Sequence, residues 1–186
     1  MAVTPSQIKM TVDNRLKIAA AINLLSHTSV MVGFPAEQGV TRTETGAPTN
    51  AYLAYIHEHG SPEHNLPARP FLKPGVASIN QQTQARLRNA AMMAIKGNVV
   101  GMMGQLNVAG GAAVRAVKIK LRTGPFAPLA MSTIIARLRK TQRGQRRLRN
   151  MRKKGVNLLQ WGAQNMKPLI DTTQMLNAVK YVIRKT

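Results

Sequence analysis

Asn50–Val76 reads NAYLAYIHEHGSPEHNLPARPFLKPGV, and its punctuation sets the architecture on either side. Asn50 is a candidate N-cap for a short helix to His59, with Tyr52, Leu53, Tyr55 and Ile56 on the apolar face. Gly60-Ser61-Pro62 ends that helix. Three prolines between residues 61 and 70 then enforce an extended, stiff segment, because each fixes its own φ and disfavours helix in the residue before it. Pro74-Gly75 leads into a long helix expected over 76–96, with Val76, Ile79, Leu87, Ala91 and Ile95 inward.

Upstream, Ile8, Val12, Leu16, Ala19, Ile22 and Leu25 recur at helical spacing, so 5–25 is expected to be an amphipathic helix. Residues 29–34, SVMVGF, are short and rich in β-branched side chains, and they read as a buried strand stopped by Pro35. Residues 36–49 are polar and aperiodic, a mobile loop or hairpin. Downstream, Gly97-Asn98 breaks the pattern before a second helix over 99–121. Gly101, Gly104, Gly110 and Gly111 lower that helix's propensity but allow close packing. A loop at 123–129, a helix over 134–140, a mixed segment from Gly155 to Met166, a turn at 167–172 and a final strand over 178–184 complete the chain. The two strands can pair, and a third is expected from 36–49 or 64–72. These elements give an α+β fold: a small antiparallel or mixed sheet flanked by an N-terminal helix and long central helices, in one domain over 1–186.

Charge narrows the function. The chain has 27 Lys and Arg against 6 Asp and Glu, a formal net charge of +21. No acid occurs between His64 and Ile170, so the cations there need solvent or another molecule for neutralisation. Residues 137–154, RLRKTQRGQRRLRNMRKK, hold Arg137, Arg139, Lys140, Arg143, Arg146, Arg147, Arg149, Arg152, Lys153 and Lys154. With so few apolar residues this run is not expected to build a core; 137–160 reads as a basic arm or insertion within the domain. It suits non-specific contact with the phosphates of duplex DNA or with an acidic protein, or it is a solvated arm ordered by a partner. No aromatics are interleaved, which argues against single-strand stacking.

Catalytic patterns are weak. His57, Glu58, His59, Glu63 and His64 crowd one region, but His57 and His59 lie two apart rather than the four of a helical zinc pair. Glu58 and Glu63 flank a Gly-Ser-Pro turn and mark no cleft for acid–base chemistry. With no cysteine, thiolate metal sites and cysteine catalysis are excluded. No phosphate-cradling or dinucleotide glycine motif is present. No catalytic residue, metal ligand or cofactor is therefore assigned. A hydrolase is the remotest reading. No signal peptide or membrane span is read from the sequence, and no membrane partner is expected.

VMVGFP at 30–35, NAYLAYIHEHG at 50–60, SPEHNLPARPFLKPG at 61–75, TGPFAPLAMS at 123–132 and KPLIDTT at 167–173 together resemble a family. It is that of tailed-bacteriophage virion morphogenesis proteins, the tail completion and neck proteins related to the lambdoid minor tail protein Z. The likeness spans about residues 28–186, with PARPF and KPLIDT its most specific pieces. It departs at His59, where the pattern has an aromatic, and over 130–160, which is unusually basic.

The resemblance implies a structural, non-enzymatic protein of the virion, assembled in the host cytoplasm and placed at the head–tail junction. It implies a homo-oligomeric ring, six-fold favoured and twelve-fold the alternative, touching a connector, tail terminator or tail tube protein. Duplex DNA in the channel is a further candidate partner. On this reading Arg69 is a buried or interfacial anchor, Phe71 fills a pocket, and Glu58 is the ionic partner of Arg69. The competing reading is a non-specific DNA-binding accessory protein of packaging or DNA organisation.

Overall fold

The computed structural model describes residues 13–35, 48–171 and 173–185. The expected loop at 36–49 and the first part of the expected N-terminal helix lie largely outside these. Within them the protein has an α+β fold in which helices dominate and a two-stranded sheet joins regions far apart in sequence.

Helix α1 (Arg15–Ser26) leads directly into β1 (Thr28–Gly33). β1 pairs antiparallel with β2 (Lys180–Lys185), Thr28 opposite Lys185 and Gly33 opposite Lys180. This register puts Val30 opposite Ile183 and Val32 opposite Tyr181 on one face, as the period-two pleat requires. Val30 and Val32 pack into the core while Met31 between them is 48% exposed. Of the two segments offered for a third strand, 36–49 lies largely outside the described residues and 64–72 does not form one. Pro67 and Pro70 lack the N–H a ladder needs, and only an isolated bridge between Ser61 and Leu66 occurs there.

Helix α2 (Asn50–His59) is capped by the Thr49 hydroxyl, which accepts from the Tyr52 amide, rather than by Asn50. The helix expected over 76–96 is two: α3 (Leu72–Ala77) and α4 (Asn80–Ile95). Ile79 leaves helical geometry at φ −116°, and the Ser78 hydroxyl donates back to the Gly75 carbonyl at the break.

The central rod is α5 (Val99–Thr123), 25 residues and about 37 Å long. It buries Met102, Leu106, Ala109, Ala113, Val117 and Leu121 at spacings of three and four. At its start Met102 and Leu106 pack with Ala21 of α1 and Ala90 and Ala94 of α4. At its end Val117 and Leu121 pack with Phe71, Leu169, Met175, Leu176 and Val179. Of the four glycines in α5, Gly110 makes the close approach to another element, since a Cβ there would collide with the Tyr181 ring from β2, while Gly101 sits against its own helix's cap residue Asn98. Gly104 faces open space.

The basic segment folds, against expectation. Helices α6 (Met131–Arg139) and α7 (Gln142–Lys153) form a hairpin, followed by α8 (Leu158–Asn165) and the short α9 (Gln174–Ala178). Leu129, Ile134, Leu138, Leu148 and Met151 are buried together, with Leu158, Trp161 and Met166 packed against them. Three apolar positions inside the run, Leu138, Leu148 and Met151, thus join Leu129 and Ile134 just before it in a small core, because α6 and α7 each turn their sparse apolar residues to the same side.

Candidate functional site

The motif segments meet around three charged side chains, each bonded to backbone groups far away in sequence. Glu58 comes first. Asn50, Ala54 and Glu58, spaced by four, form the buried face of α2, which carries the Glu58 carboxylate inward at the helix's last turn. Gly60, at φ 78°, then turns the chain back in a conformation that favours glycine. The carboxylate accepts three backbone N–H groups: Phe71 and Leu72 on Oε2, both at 2.8 Å, and Lys73 on Oε1 at 3.0 Å. These are the unsatisfied donors at the start of α3. Pro74 has no N–H, and the Gly75 N–H already donates to the Phe71 carbonyl at 3.0 Å. Glu58 therefore does from a distance what an N-cap side chain does locally, with its negative charge at the positive end of the helix.

Arg69 is second. Its own N–H donates to the His57 carbonyl at 2.7 Å, pinning the proline-flanked segment along the end of α2. Its side chain is buried and crosses to the 123–130 loop, where Nε donates to the Ala127 carbonyl and Nη2 to the Pro128 carbonyl, both at 2.9 Å. The expected Glu58–Arg69 ion pair does not form. The carboxylate is taken up by amides and the guanidinium by carbonyls, so each saturates a backbone end instead of the other. Phe71, fully buried, meets Phe34 edge-on with ring centroids 6.2 Å apart, filling a site within its own chain.

Arg137 is third, and it leaves the set expected to face a partner. From α6 its Nη1 donates to the carbonyls of Lys167 at 2.8 Å and Ile170 at 3.2 Å, and Nη2 to that of Pro168 at 2.7 Å. Its Nε stands 3.7 Å from Asp171 Oδ1, while Asp171 Oδ2 is bonded to Lys140 Nζ. The arginine holds the KPLID turn to the hairpin as Arg69 holds the PARPF segment to the FAPL loop.

Between these clamps lies an open cavity of about 540 Å³, lined by His57, Arg69, Pro128, Thr133, Arg137 and Asp171 among others. It is electropositive. Burial depresses the pKa of both guanidiniums; Arg137 adds repulsion at Arg69, and Asp171 works in the opposite direction at Arg137. His57 is held below its ordinary 6.5, first by burial and then by the charges of Arg69 and Arg137. Chemically the cavity suits an anionic group.

Of the other residues singled out in the sequence, His59 bonds the Tyr55 carbonyl and stacks on its ring, and His64 bonds Ser61. Among the described residues no group of three or more His, Cys, Asp or Glu is placed to hold a metal ion, and no helix is long and apolar enough to cross a membrane. Arg139, Lys140, Arg143, Arg146, Arg147, Arg149, Arg152, Lys153 and Lys154 are exposed on the α6–α7 hairpin. Arg147 lies over the Trp161 ring, 5.6 Å from its centroid.

Sequence reasoning missed Arg137 as an internal clamp and Asp171 as its neighbour. One signal was available: FAPL and KPLI are proline-interrupted stretches, whose carbonyls find no helical donors and need some from elsewhere.

No protein-family profile, curated protein or solved structure matches this chain.

Proposed function

We propose that this protein is a structural subunit of the head–tail junction of a tailed phage, a neck or tail completion protein that assembles as a ring around the DNA path. One observation supports this reading most. Two of the segments that carry the family resemblance hold the next one, and a third is held from outside the set: Glu58 of NAYLAYIHEHG caps the helix after PARPF, Arg69 of PARPF grips FAPL, and Arg137 of α6 grips KPLID. Their charged groups are committed to backbone atoms, which is how residues keep a shape. The resemblance favours a six-fold ring over a twelve-fold one, abutting a connector, tail terminator or tail tube protein.

The test is the mass of the purified oligomer together with a particle map of the neck. Six or twelve copies, with the chain resolved between head and tail, is the expected result. A chain that stays monomeric at high concentration and is absent from particles overturns the proposal. The runner-up, a DNA-binding accessory protein acting alone, is favoured by the exposed cations of α7; duplex binding by a monomer that never joins a particle would select it.

A further inference from the structure

The cations of the α6–α7 hairpin are arranged around a helix rather than along one side of it. In α7, Leu148 and Met151 are buried and Gly144 is half-buried. At 100° per residue these three occupy a sector of about 60°. Arg152, Arg149, Lys153, Arg146, Arg143 and Arg147 follow in angular order over about 220° of the remaining circumference. Arg139 of α6 extends one flank, where it shares a shallow groove with Arg149, Arg152 and Lys153. The other flank carries Arg147 above Trp161. Among the described residues none of Arg139, Arg143, Arg146, Arg149, Arg152, Lys153 and Lys154 pairs with a carboxylate. The hairpin cations that do pair with an acid are Arg137 and Lys140, both with Asp171.

A flat acidic surface can meet one flank of such a helix, which would leave the opposite flank unneutralised. A groove walled by phosphates meets the crest and both flanks at once. The B-form major groove, about 12 Å wide, admits an α-helix, and phosphates line both of its edges. Helix α7 is 12 residues, about 18 Å, long enough to lie across roughly five base pairs. Arginine and lysine without interleaved aromatics supply phosphate contacts and no stacking platform.

We propose that α7 seats in the major groove of B-form duplex DNA and holds it through phosphates on both strands, without base preference. This deepens the junction reading and rests on it for the source of the duplex, the DNA passing through the neck. A-form RNA has a deep, narrow major groove that excludes a helix, so the seat distinguishes duplex DNA from duplex RNA.

The experiment titrates the full-length protein with labelled 30-base-pair duplexes of DNA and RNA, of unrelated sequences, from 50 to 200 mM salt. Trp161 is the sole tryptophan and lies beside Arg147, so its emission reports on the hairpin directly. The expected result is DNA affinity independent of sequence that falls about a thousand-fold over that range, for about six phosphate contacts at a log–log slope near −5. DNA should bind at least ten-fold more tightly than RNA, with a change in Trp161 emission. Neutralising the crest with R146Q, R149Q and K153Q together should reduce the slope by about 3, while K96Q on α4's C-terminal end should leave it unchanged. Circular dichroism checks that the triple variant keeps its helices. Equal affinity for DNA and RNA, tighter binding of poly-glutamate than of DNA at matched salt, or an unchanged slope in the folded triple variant each overturns the seat. Failure of the junction reading appears elsewhere, in oligomer mass and particle maps, and leaves the DNA-over-RNA preference standing.

Discussion

Replacing Glu58 by Gln changes one oxygen for an NH₂ and tests whether a distant carboxylate starts helix α3. In the folded protein Oε2 takes the Phe71 and Leu72 amides and Oε1 takes that of Lys73. Gln keeps one oxygen, which can serve the first two. Its amide nitrogen then points a donor at the Lys73 donor, so one bond is lost and a repulsion replaces it. The charge at the helix start goes as well. A hydrogen bond to a charged group contributes about 1.5–3 kcal/mol, and a carboxylate at a helix N-terminus about 0.3–1 kcal/mol more. The Glu58 side chain is only 8% exposed as a residue, so solvent offers little compensation. The sum is a loss of about 2–4 kcal/mol, or roughly 4–16 °C in Tm for a chain of this size. E58A orphans all three amides and should cost about 4 kcal/mol, a large share of the about 5–15 kcal/mol that typical domains possess. The assay is thermal and urea unfolding followed by circular dichroism, with E63Q as control, since Glu63 is exposed on the neighbouring turn. If E58Q unfolded within about 0.5 kcal/mol of the parent, the three bonds would not be holding α3 and the reasoning would fail.

Three further outcomes follow from the same geometry. R137K should cost about 3 kcal/mol in urea unfolding, because an ammonium cannot span the Lys167, Pro168 and Ile170 carbonyls as the planar fork does, whereas R139K beside it should stay within about 0.5 kcal/mol. His57 is held below its ordinary 6.5 in the folded state, so the unfolded chain binds more protons as pH falls past that value; stability present above pH 6.5 is lost below it, and urea midpoints at pH 7.5 and 5.5 should differ less in H57Q than in the parent. G110A should destabilise by about 1–3 kcal/mol by driving a methyl into the Tyr181 ring, while G104A, facing open space in the same helix, should stabilise by up to about 1 kcal/mol in the same denaturation series.

The periodic parts of this fold were legible in the sequence. Strand 29–34 and strand 178–184 were placed within two residues, and their antiparallel pairing follows the alternation of Val30, Val32, Tyr181 and Ile183. Helix α5 was legible because its apolar residues keep helical spacing for seven turns despite four glycines. The start of α3 was not, because its cap is thirteen residues upstream and no local Ser, Thr, Asp or Asn marks it. Pro74 then reads as the lead-in to a helix starting at Val76, when it is a tolerated residue inside the first turn of α3. The site was half legible. Glu58, Arg69 and Phe71 were singled out, but charge complementarity suggested that the acid and the base meet, whereas each finds backbone groups. Sequence charge alone does not reveal where unsatisfied amides and carbonyls will lie.

The run from Arg137 to Lys154 shows how one composition serves two ends. Arg137 follows Ile134 by three residues on α6 and precedes Leu138, so it sits at the edge of the buried face and reaches the KPLID carbonyls. Arg139, two residues on, is exposed. The separation is set by helical phase, since both side chains are chemically the same. The described acids are then allotted: Glu58 to amides, Asp171 between Arg137 and Lys140, Asp13 to Arg15, with Glu63 exposed on its turn. None of them reaches the outer faces of α7. A helix with that much unneutralised charge raises its own electrostatic free energy, and small counterions lower it only weakly; a polyanion lowers it more, and releases those ions when it binds. The hairpin's small apolar core around Leu148 and Met151 keeps the charged helix folded before any such partner arrives. A preformed helix loses less conformational entropy on docking than a disordered arm would, so the same cations should bind more tightly here than in a flexible tail of equal charge.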